Sequence, residues 1–402
     1  QARWSFWHLM QTLRLSVGRS SFVCKHQLLR TRPIFLRQQR LGLRKVQSTT
    51  CQASIGVEAI AAMSLPTLIA GAVAAGLVLS AVVKLVQLAF ADADLHLLSK
   101  GKPPADAWQG KVVWITGASQ GMGARLAKYL SSQGAKVILS SRSADRLQAV
   151  KESLPCAASD ALVLPLDLTG PYEGLERAAQ QADAAFGGQG VDYLVHNAGA
   201  SMNALAAEVS AGVTDALFGV NTLGPIKLTR AALPAMLKRG KGRIVVVASM
   251  AGKVPSPGQA VYSACKMALY GYFASLATEV ADTGVGVTIC CPGPVNTESE
   301  GAPRAVYGPT GLITTPPSED AAKSKARMSP ERCVELIAAA AAHGVDEAWI
   351  SRHPVLAAGY VFQLLPRLGW KVLKKIGPSR ARAMKEGRSG YDVKNIALAS
   401  SK

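Results

Sequence analysis

Six short apolar runs, at residues 111–116, 136–140, 161–166, 191–195, 243–248 and 285–291, alternate with helix-length stretches at 121–133, 172–186, 213–238 and 260–281. The runs are continuously apolar, so both faces of the sheet they form must be covered. Parallel strands need long crossovers, and the helix-length stretches supply them. The pattern predicts an α/β fold with a doubly wound parallel sheet, whose ligands sit beyond the carboxyl ends of the strands. No internal repeat competes with this reading.

The first run passes straight into Thr116-Gly117-Ala118-Ser119-Gln120-Gly121-Met122-Gly123, after which an apolar helix face begins. Gly117 permits a tight turn, Gly121 lets the backbone approach a diphosphate, and Gly123 allows close helix–strand packing. A helix starting here directs amide donors and a partial positive charge at phosphates, with Ser119, Gln120 and Met122 in the same turn. The spacing G-x-x-x-G-x-G departs from G-x-G-x-x-G, and a plain strand-to-helix turn is the rival explanation. Together, turn and alternation predict a Rossmann-type fold with a nicotinamide cofactor.

The end of the second run reads Leu139-Ser140-Ser141-Arg142-Ser143, with no carboxylate before Asp145. A nonphosphorylated cofactor usually meets an acid about 20 residues past the glycines. Arg142 can instead grip a 2′-phosphate, with Ser141 and Ser143 adding hydroxyls; NADP(H) is therefore expected. The alternative is a surface arginine opening a helix whose first turn Asp145 favours. Asp167 can accept from an adenine amine or cap the next helix. Asn197, Ala198 and Gly199 close the fourth run, small residues leaving room for a cofactor and the amide tying strands together.

Tyr262 lies thirteen residues after Ser249 and four before Lys266. Residues four apart on a helix share a face, so an ammonium can sit beneath a phenol. An unperturbed tyrosine titrates near pH ~10, and a neighbouring positive charge lowers the cost of its phenolate. Ser249, ending the fifth run, can hydrogen-bond a substrate oxygen. Asn221 precedes it in a helical region and can position a water joining Lys266 to solvent. A serine hydrolase is a poor rival: Ser249 lacks a Gly-x-Ser-x-Gly elbow and no histidine is suitably placed.

Thr116–Gly123, Asn197-Ala198-Gly199, Asn221, Ser249, Tyr262, Lys266 and Pro292-Gly293-Pro294-Val295 resemble the ordered motifs of the short-chain dehydrogenase/reductase superfamily over about residues 108–352. The resemblance implies an Asn–Ser–Tyr–Lys tetrad at Asn221, Ser249, Tyr262 and Lys266, with Tyr262 and Lys266 also touching the cofactor. It further implies cofactor contacts from Pro292, Gly293, Val295 and Thr297. Gln120, where a small or basic residue is common, and His196, where a second Asn is usual, depart from it. Phe90–Leu95, Arg332-Cys333-Val334 and Trp349-Ile350-Ser351 are similar to the membrane-anchored "dehydrogenase/reductase member 7" group, which implies an endoplasmic reticulum membrane and retinoid- or steroid-like carbonyls.

The net charge of +19 resides in the ends. Residues 1–57 hold ten Lys or Arg and no acid, residues 367–402 ten against two, and the span between is only +1. A nucleic-acid-reading core is therefore not expected; basic ends beside apolar segments suit anionic lipid or a targeting receptor. The leader resembles an organelle transit peptide, which would direct the chain to a plastid or mitochondrial membrane; with Met63 as initiator it is not translated. Residues 59–83 contain no charge, enough to span a bilayer. Seven cysteines without metal-ligand spacing indicate reduced thiols and no metal site.

The expected organisation is a basic leader (1–57), a membrane-anchor helix (58–90), a linker (91–107), the catalytic domain (108–352), and an apolar segment with a basic tail (353–402). Within the tail, residues 354–365 read as an interfacial helix or as packing on their own domain; 298–328 read as a substrate flap or as disorder. The expected activity is NADP(H)-dependent interconversion of a carbonyl and an alcohol on a hydrophobic substrate. The expected partners are that small molecule and a lipid membrane, with a homodimer as the assembly. A 3-keto sphingoid base reductase and a catalytically idle redox-sensing scaffold are the alternatives.

Overall fold

The computed structural model describes residues 65–296, 304–315 and 327–385, so the basic leader, Thr297, most of the expected flap and the last residues lie outside the described part. Helix α1 (Leu65–Ala89) carries no acidic residue and has a mean hydropathy of 2.2 over its most apolar window, long and apolar enough by composition to cross a membrane. None of its described side chains is buried. Helix α2 (Leu95–Lys100) follows, capped by Asp94, whose Oδ1 accepts from the Leu97 amide at 2.8 Å.

Then come β1 (Val112–Thr116), α3 (Gly121–Ser132), β2 (Lys136–Ser140), α4 (Ala144–Glu152), β3 (Ala161–Val163), α5 (Tyr172–Gly188), β4 (Tyr193–His196), α6 (Ala211–Phe218), α7 (Gly224–Arg239) and β5 (Gly242–Val247). After them follow α8 (Ala260–Glu279), β6 (Val285–Pro292), β7 (Arg304–Tyr307), β8 (Leu312–Thr315), α9 (Pro330–Ala342), β9 (Glu347–Ile350), α10 (Val355–Leu364) and α11 (Pro366–Lys385). Seven strands form one parallel sheet in the order β3-β2-β1-β4-β5-β6-β9. The order reverses between β1 and β4, which makes the fold doubly wound and opens a crevice at the strand ends.

Every β1 residue is buried, and successive side chains serve opposite layers. Val113 and Ile115 pack with Leu126 and Leu130 of α3 and Val334 of α9. Val112 and Trp114 pack with Leu175 of α5, Leu228 of α7 and Phe273 of α8. The Trp114 indole, buried in the second layer, donates to Ser140 Oγ at 2.8 Å, so its polar atom is satisfied without water.

Four local differences from the sequence expectations have physical causes. The third strand is regular only to Val163 rather than residue 166, although the Leu164 and Leu166 amides still donate to Leu139 O and Ser141 O at 2.9 Å, with Pro165 between them on the outer edge where no amide is needed. The helix expected over 213–238 is interrupted by a π-helical turn, Gly219–Leu223, where Gly224 lies so close to Leu168 that an added Cβ would fall 2.7 Å from the leucine Cβ. Strand β9 was not among the expected runs; at four residues with an acid inside it carries little periodic signal. Residues 91–107, expected as a linker, pack onto the domain: Asp94 Oδ2 accepts from the Trp349 amide at 2.6 Å, Arg332 grips Asp92 with Nε and Nη2, and Ala93 and Leu97 are buried.

Candidate active site

The glycine turn is held by hydrogen bonds converging on one threonine. Thr116 Oγ1 donates to Val195 O at 3.1 Å and accepts from the Asn197 and Ala198 amides at 3.1 and 3.2 Å. Asn197 Nδ2 donates back to the carbonyls of Thr116 and Gly117, so the amide does tie β4 to β1. Gly117 adopts a positive φ of 68°, and a Cβ there would fall 2.7 Å from Ala198 Cα. At Gly123 a Cβ would collide with the Gly117 carbonyl and Asn197 Nδ2. Glycine is thus required at both positions by close backbone approach. Gly121 differs: its φ of 59° favours glycine, but the space beside it is open.

That open space belongs to a cleft of about 1090 Å³ along the carboxyl edge of the sheet. Of the expected cofactor residues, Gly117, Ser119, Gln120, Gly121, Met122, Ser141, Arg142, Ser143, Asp167, Asn197, Ala198 and Gly199 line it. Gly123 is buried beneath. Pro292, Gly293 and Val295 are not on its wall; they run between Ser249 and β9, where the Gly293 amide donates to Ile350 O at 2.8 Å. Thr116, which opens the glycine turn, also lines the cleft, as do Arg146, Lys227, Tyr307 and Leu312, which went unnoticed in the sequence. Arg146 had a readable signal, since it stands one helical turn beyond Arg142; Lys227 and the hairpin residues had none.

The polar groups at the β2 end are largely unspent. Ser141 Oγ is buried without a hydrogen-bond partner, and among the described residues Arg142 pairs with no acid. Ser143 Oγ accepts from the Arg146 amide at 3.4 Å as the cap of α4, and Arg146 Nη1 donates to Gln120 Oε1 at 3.3 Å. Asp167 Oδ1 accepts from the amide and hydroxyl of Thr169, so it caps a turn while also lining the cleft. An orphaned buried hydroxyl beside an unpaired guanidinium suits a phosphate-bearing ligand.

Ser249, Tyr262 and Lys266 are not on the wall of this cleft, although Gly199, Ala200 and Ser201 beside them are. Tyr262 and Lys266 occupy one face of α8, with the ammonium 5.7 Å from the phenol ring centroid. Lys266 is buried and donates to Val247 O at 3.0 Å; burial pulls its pKa down to about 8. Two residues beyond Val247, Ser249 Oγ accepts from the Ala251 amide at 3.1 Å and donates over a long 3.4 Å to Pro292 O. Asn221, fully buried in the π-helical turn, accepts from the Ala200 amide at 3.1 Å and donates to Ala200 O and Leu217 O at 3.0 and 3.1 Å. Its side chain is bonded to backbone and fixes the 199–200 segment.

A Cβ on Gly199 would meet both Asn221 Oδ1, at 2.6 Å, and Lys266 Nζ, at 3.6 Å. This glycine joins the cleft wall to the buried amine. Tyr262, partly buried, packs with Met202, Ala204 and Tyr307 in a small apolar cluster. His196, where a second asparagine was expected, is buried and bonded through Nε2 to Thr229 Oγ1 at 2.7 Å; burial holds its pKa at about 3, so it stays neutral. Among the described residues no three His, Cys, Asp or Glu side chains come together as metal ligands. The chemistry available is proton transfer at a carbonyl oxygen beside a dinucleotide cleft.

A family model described as short chain dehydrogenase matches residues 111–306. The human protein "Dehydrogenase/reductase SDR family member 7" is 36% identical over 315 residues, covering 76% of this chain and 90% of its own length. "Ketoacyl reductase HetN" of Nostoc is 35% identical over 210 residues, covering 52% of this chain and 72% of its own. Among solved structures, a short-chain dehydrogenase from Streptomyces avermitilis superposes with a TM-score of 0.55 at 27% identity, covering 66% of this chain and 97% of that one. One from Burkholderia cenocepacia, in complex with NADP, gives 0.53 at 25% identity, covering 66% and 98%.

Proposed function

Because this chain belongs to the short-chain dehydrogenase/reductase family, we propose that it is a membrane-anchored, NADP(H)-dependent enzyme interconverting a carbonyl and an alcohol on a hydrophobic substrate. The observation that carries the reading is the placement of Tyr262 over the buried Lys266, joined through Gly199 to the cleft that the glycine turn opens. The nicotinamide group, when bound, supplies or takes the hydride. Tyr262 holds the proton given to the substrate oxygen. Lys266, fixed by Val247 O, holds positive charge beneath that phenol and favours its ionised form. Ser249 donates to the developing alkoxide; its 3.4 Å bond to Pro292 O is weak enough to yield. Asn221 keeps the Gly199 segment at the right height.

The preference for NADP(H) rests on the unspent Ser141 hydroxyl and Arg142 guanidinium, with Arg146 one turn behind. The membrane reading rests on α1, and the endoplasmic reticulum on the resemblance to the member 7 group. The hydrophobic substrate likewise rests on that resemblance, while the buried apolar cluster of Met202 and Ala204 packs behind Tyr262. The test is a panel of carbonyl compounds presented to the full chain in detergent, with NADPH or NADH, read at the nicotinamide absorbance. Retinal- or steroid-like carbonyls should turn over, faster with NADPH. Turnover confined to small polar sugars or acids would sink the substrate reading.

A further inference from the structure

Helix α11 (Pro366–Lys385) contains seven Lys or Arg and no acid. Its surface is ordered into two neighbouring rows. Leu368, Val372 and Ile376 repeat every fourth residue and are 47%, 47% and 37% exposed. Arg367, Lys371 and Lys375 repeat at the same interval one residue earlier, all exposed. Side chains four apart stack along a helix, so an apolar ridge runs beside a basic ridge. Leu364 and Leu365, at the turn entering α11, extend the apolar ridge.

The flank of the helix beside the apolar row is occupied by the enzyme itself. Gly369 and Phe362 pack together, and Ser379 and Ala383 are buried. The far end of α11 reaches the loop at residues 256–258. Arg380 Nη2 donates to Ser256 Oγ at 2.9 Å, Met384 packs against Gly258, and Lys385 lies 3.9 Å from Glu208. That loop is tied to the cleft wall, with Gln259 Nε2 donating to Ser201 Oγ at 3.2 Å and the Ala204 amide to Gly258 O at 3.1 Å. It leads directly into the helix carrying Tyr262.

We propose that the exposed face of α11 is a docking surface for an anionic lipid bilayer, and that it seats the substrate mouth on that bilayer. The apolar row enters the headgroup boundary while the basic row meets lipid phosphates and carboxylates. A purely electrostatic partner would leave the apolar row exposed, and an apolar protein partner would leave the basic row of Arg367, Lys371 and Lys375 unanswered. Only a surface that is apolar within and anionic at its rim answers both rows. The proposal rests on the membrane-enzyme reading above and extends it: substrate dissolved in lipid would leave the bilayer beside the loop at residues 256–259.

The full chain reconstituted in bilayer discs tests this. Because α1 can hold the protein in any bilayer, the readout must be local, and amide hydrogen exchange of residues 366–378 supplies it. Discs of phosphatidylcholine are compared with discs containing about one third phosphatidylserine. Protection of 366–378 should rise in the anionic discs. The double variant Lys371→Gln, Lys375→Gln should weaken that response by about five-fold per lysine, with turnover of a water-soluble carbonyl in detergent unchanged, which also reports correct folding. Equal exchange in both discs overturns the proposal, as does protection that follows protein concentration in detergent, the mark of a second copy on this face. Either result with turnover intact leaves the oxidoreductase reading standing.

Discussion

The two ends of the proposed active site are built on opposite principles. At the cofactor end, backbone and glycines make the wall, and among the described residues Ser141 Oγ has no hydrogen-bond partner and Arg142 no acid. At the tyrosine end, the polar side chains are spent inside the protein: Asn221 makes three hydrogen bonds to backbone, and Lys266 is buried against a single carbonyl. The first end keeps donors in reserve for a ligand. The second tolerates a desolvated charge so that a phenol is held above it. Binding capacity shows as unsatisfied groups, whereas catalytic geometry shows as satisfied but strained electrostatics.

The largest contrast should come from Lys266→Met. Removing a preorganised charge from a catalytic site typically costs ~100- to ~1,000-fold in turnover, and cofactor affinity should change far less. Stability should move the other way. In the folded chain Lys266 loses its proton near pH 8, against an ordinary 10.5. Between those values the unfolded state holds more protons, so stability rises with pH across that window; below pH 8 the full burial cost of about 3 kcal/mol applies. Methionine does not incur that cost, so the variant should melt no lower than the parent at pH 7. Thermal melts of both proteins at pH 7 and pH 9 check the sign, with the parent alone gaining stability.

Gly123→Ala probes the cofactor end through backbone alone. The new Cβ would collide with the Gly117 carbonyl and Asn197 Nδ2, so α3 must shift away from β1 and the phosphate-facing amides with it. Cofactor KM should rise about tenfold or more, the equivalent of one lost charge-assisted hydrogen bond. Gly121→Ala, which meets open space, should cost only the strain of its positive φ, about 1 kcal/mol of stability. Arg142→Ala should have the smallest effect and the most selective. NADPH should lose about tenfold in kcat/KM while NADH is nearly unchanged, so that the ratio of the two, measured in one assay, reports the phosphate contact.

The cofactor end was the more legible in sequence because its requirements are local. Gly117 and Gly123 belong to one turn, Asn197 sits in a tripeptide closing a strand, and the three contact one another. The tyrosine end was legible only in part. Tyr262 and Lys266 share one helix, and their spacing alone predicts one face. The commitment of the Asn221 amide depends on Ala200 and Leu217, reached across a π-helical turn with no distinctive pattern. The segment before the sheet misled because its anchors, Trp349 and Arg332, lie some 240 residues away in sequence. Composition around Gly101-Lys102-Pro103-Pro104 reads as a linker whether or not an edge strand waits to receive it.

The central claim is that the Tyr262 hydroxyl carries the proton exchanged with the substrate oxygen. The most direct measurement is single-turnover kinetics of Tyr262→Phe with NADPH and a hydrophobic carbonyl, alongside cofactor binding by fluorescence. Loss of the general acid should slow the hydride-transfer step by at least ~100-fold while NADPH binds within a factor of about two, since the ring and its packing against Met202 are kept. Turnover within a few-fold of the parent, with binding equally intact, would contradict the claim and leave the Tyr262–Lys266 pair a feature of packing alone.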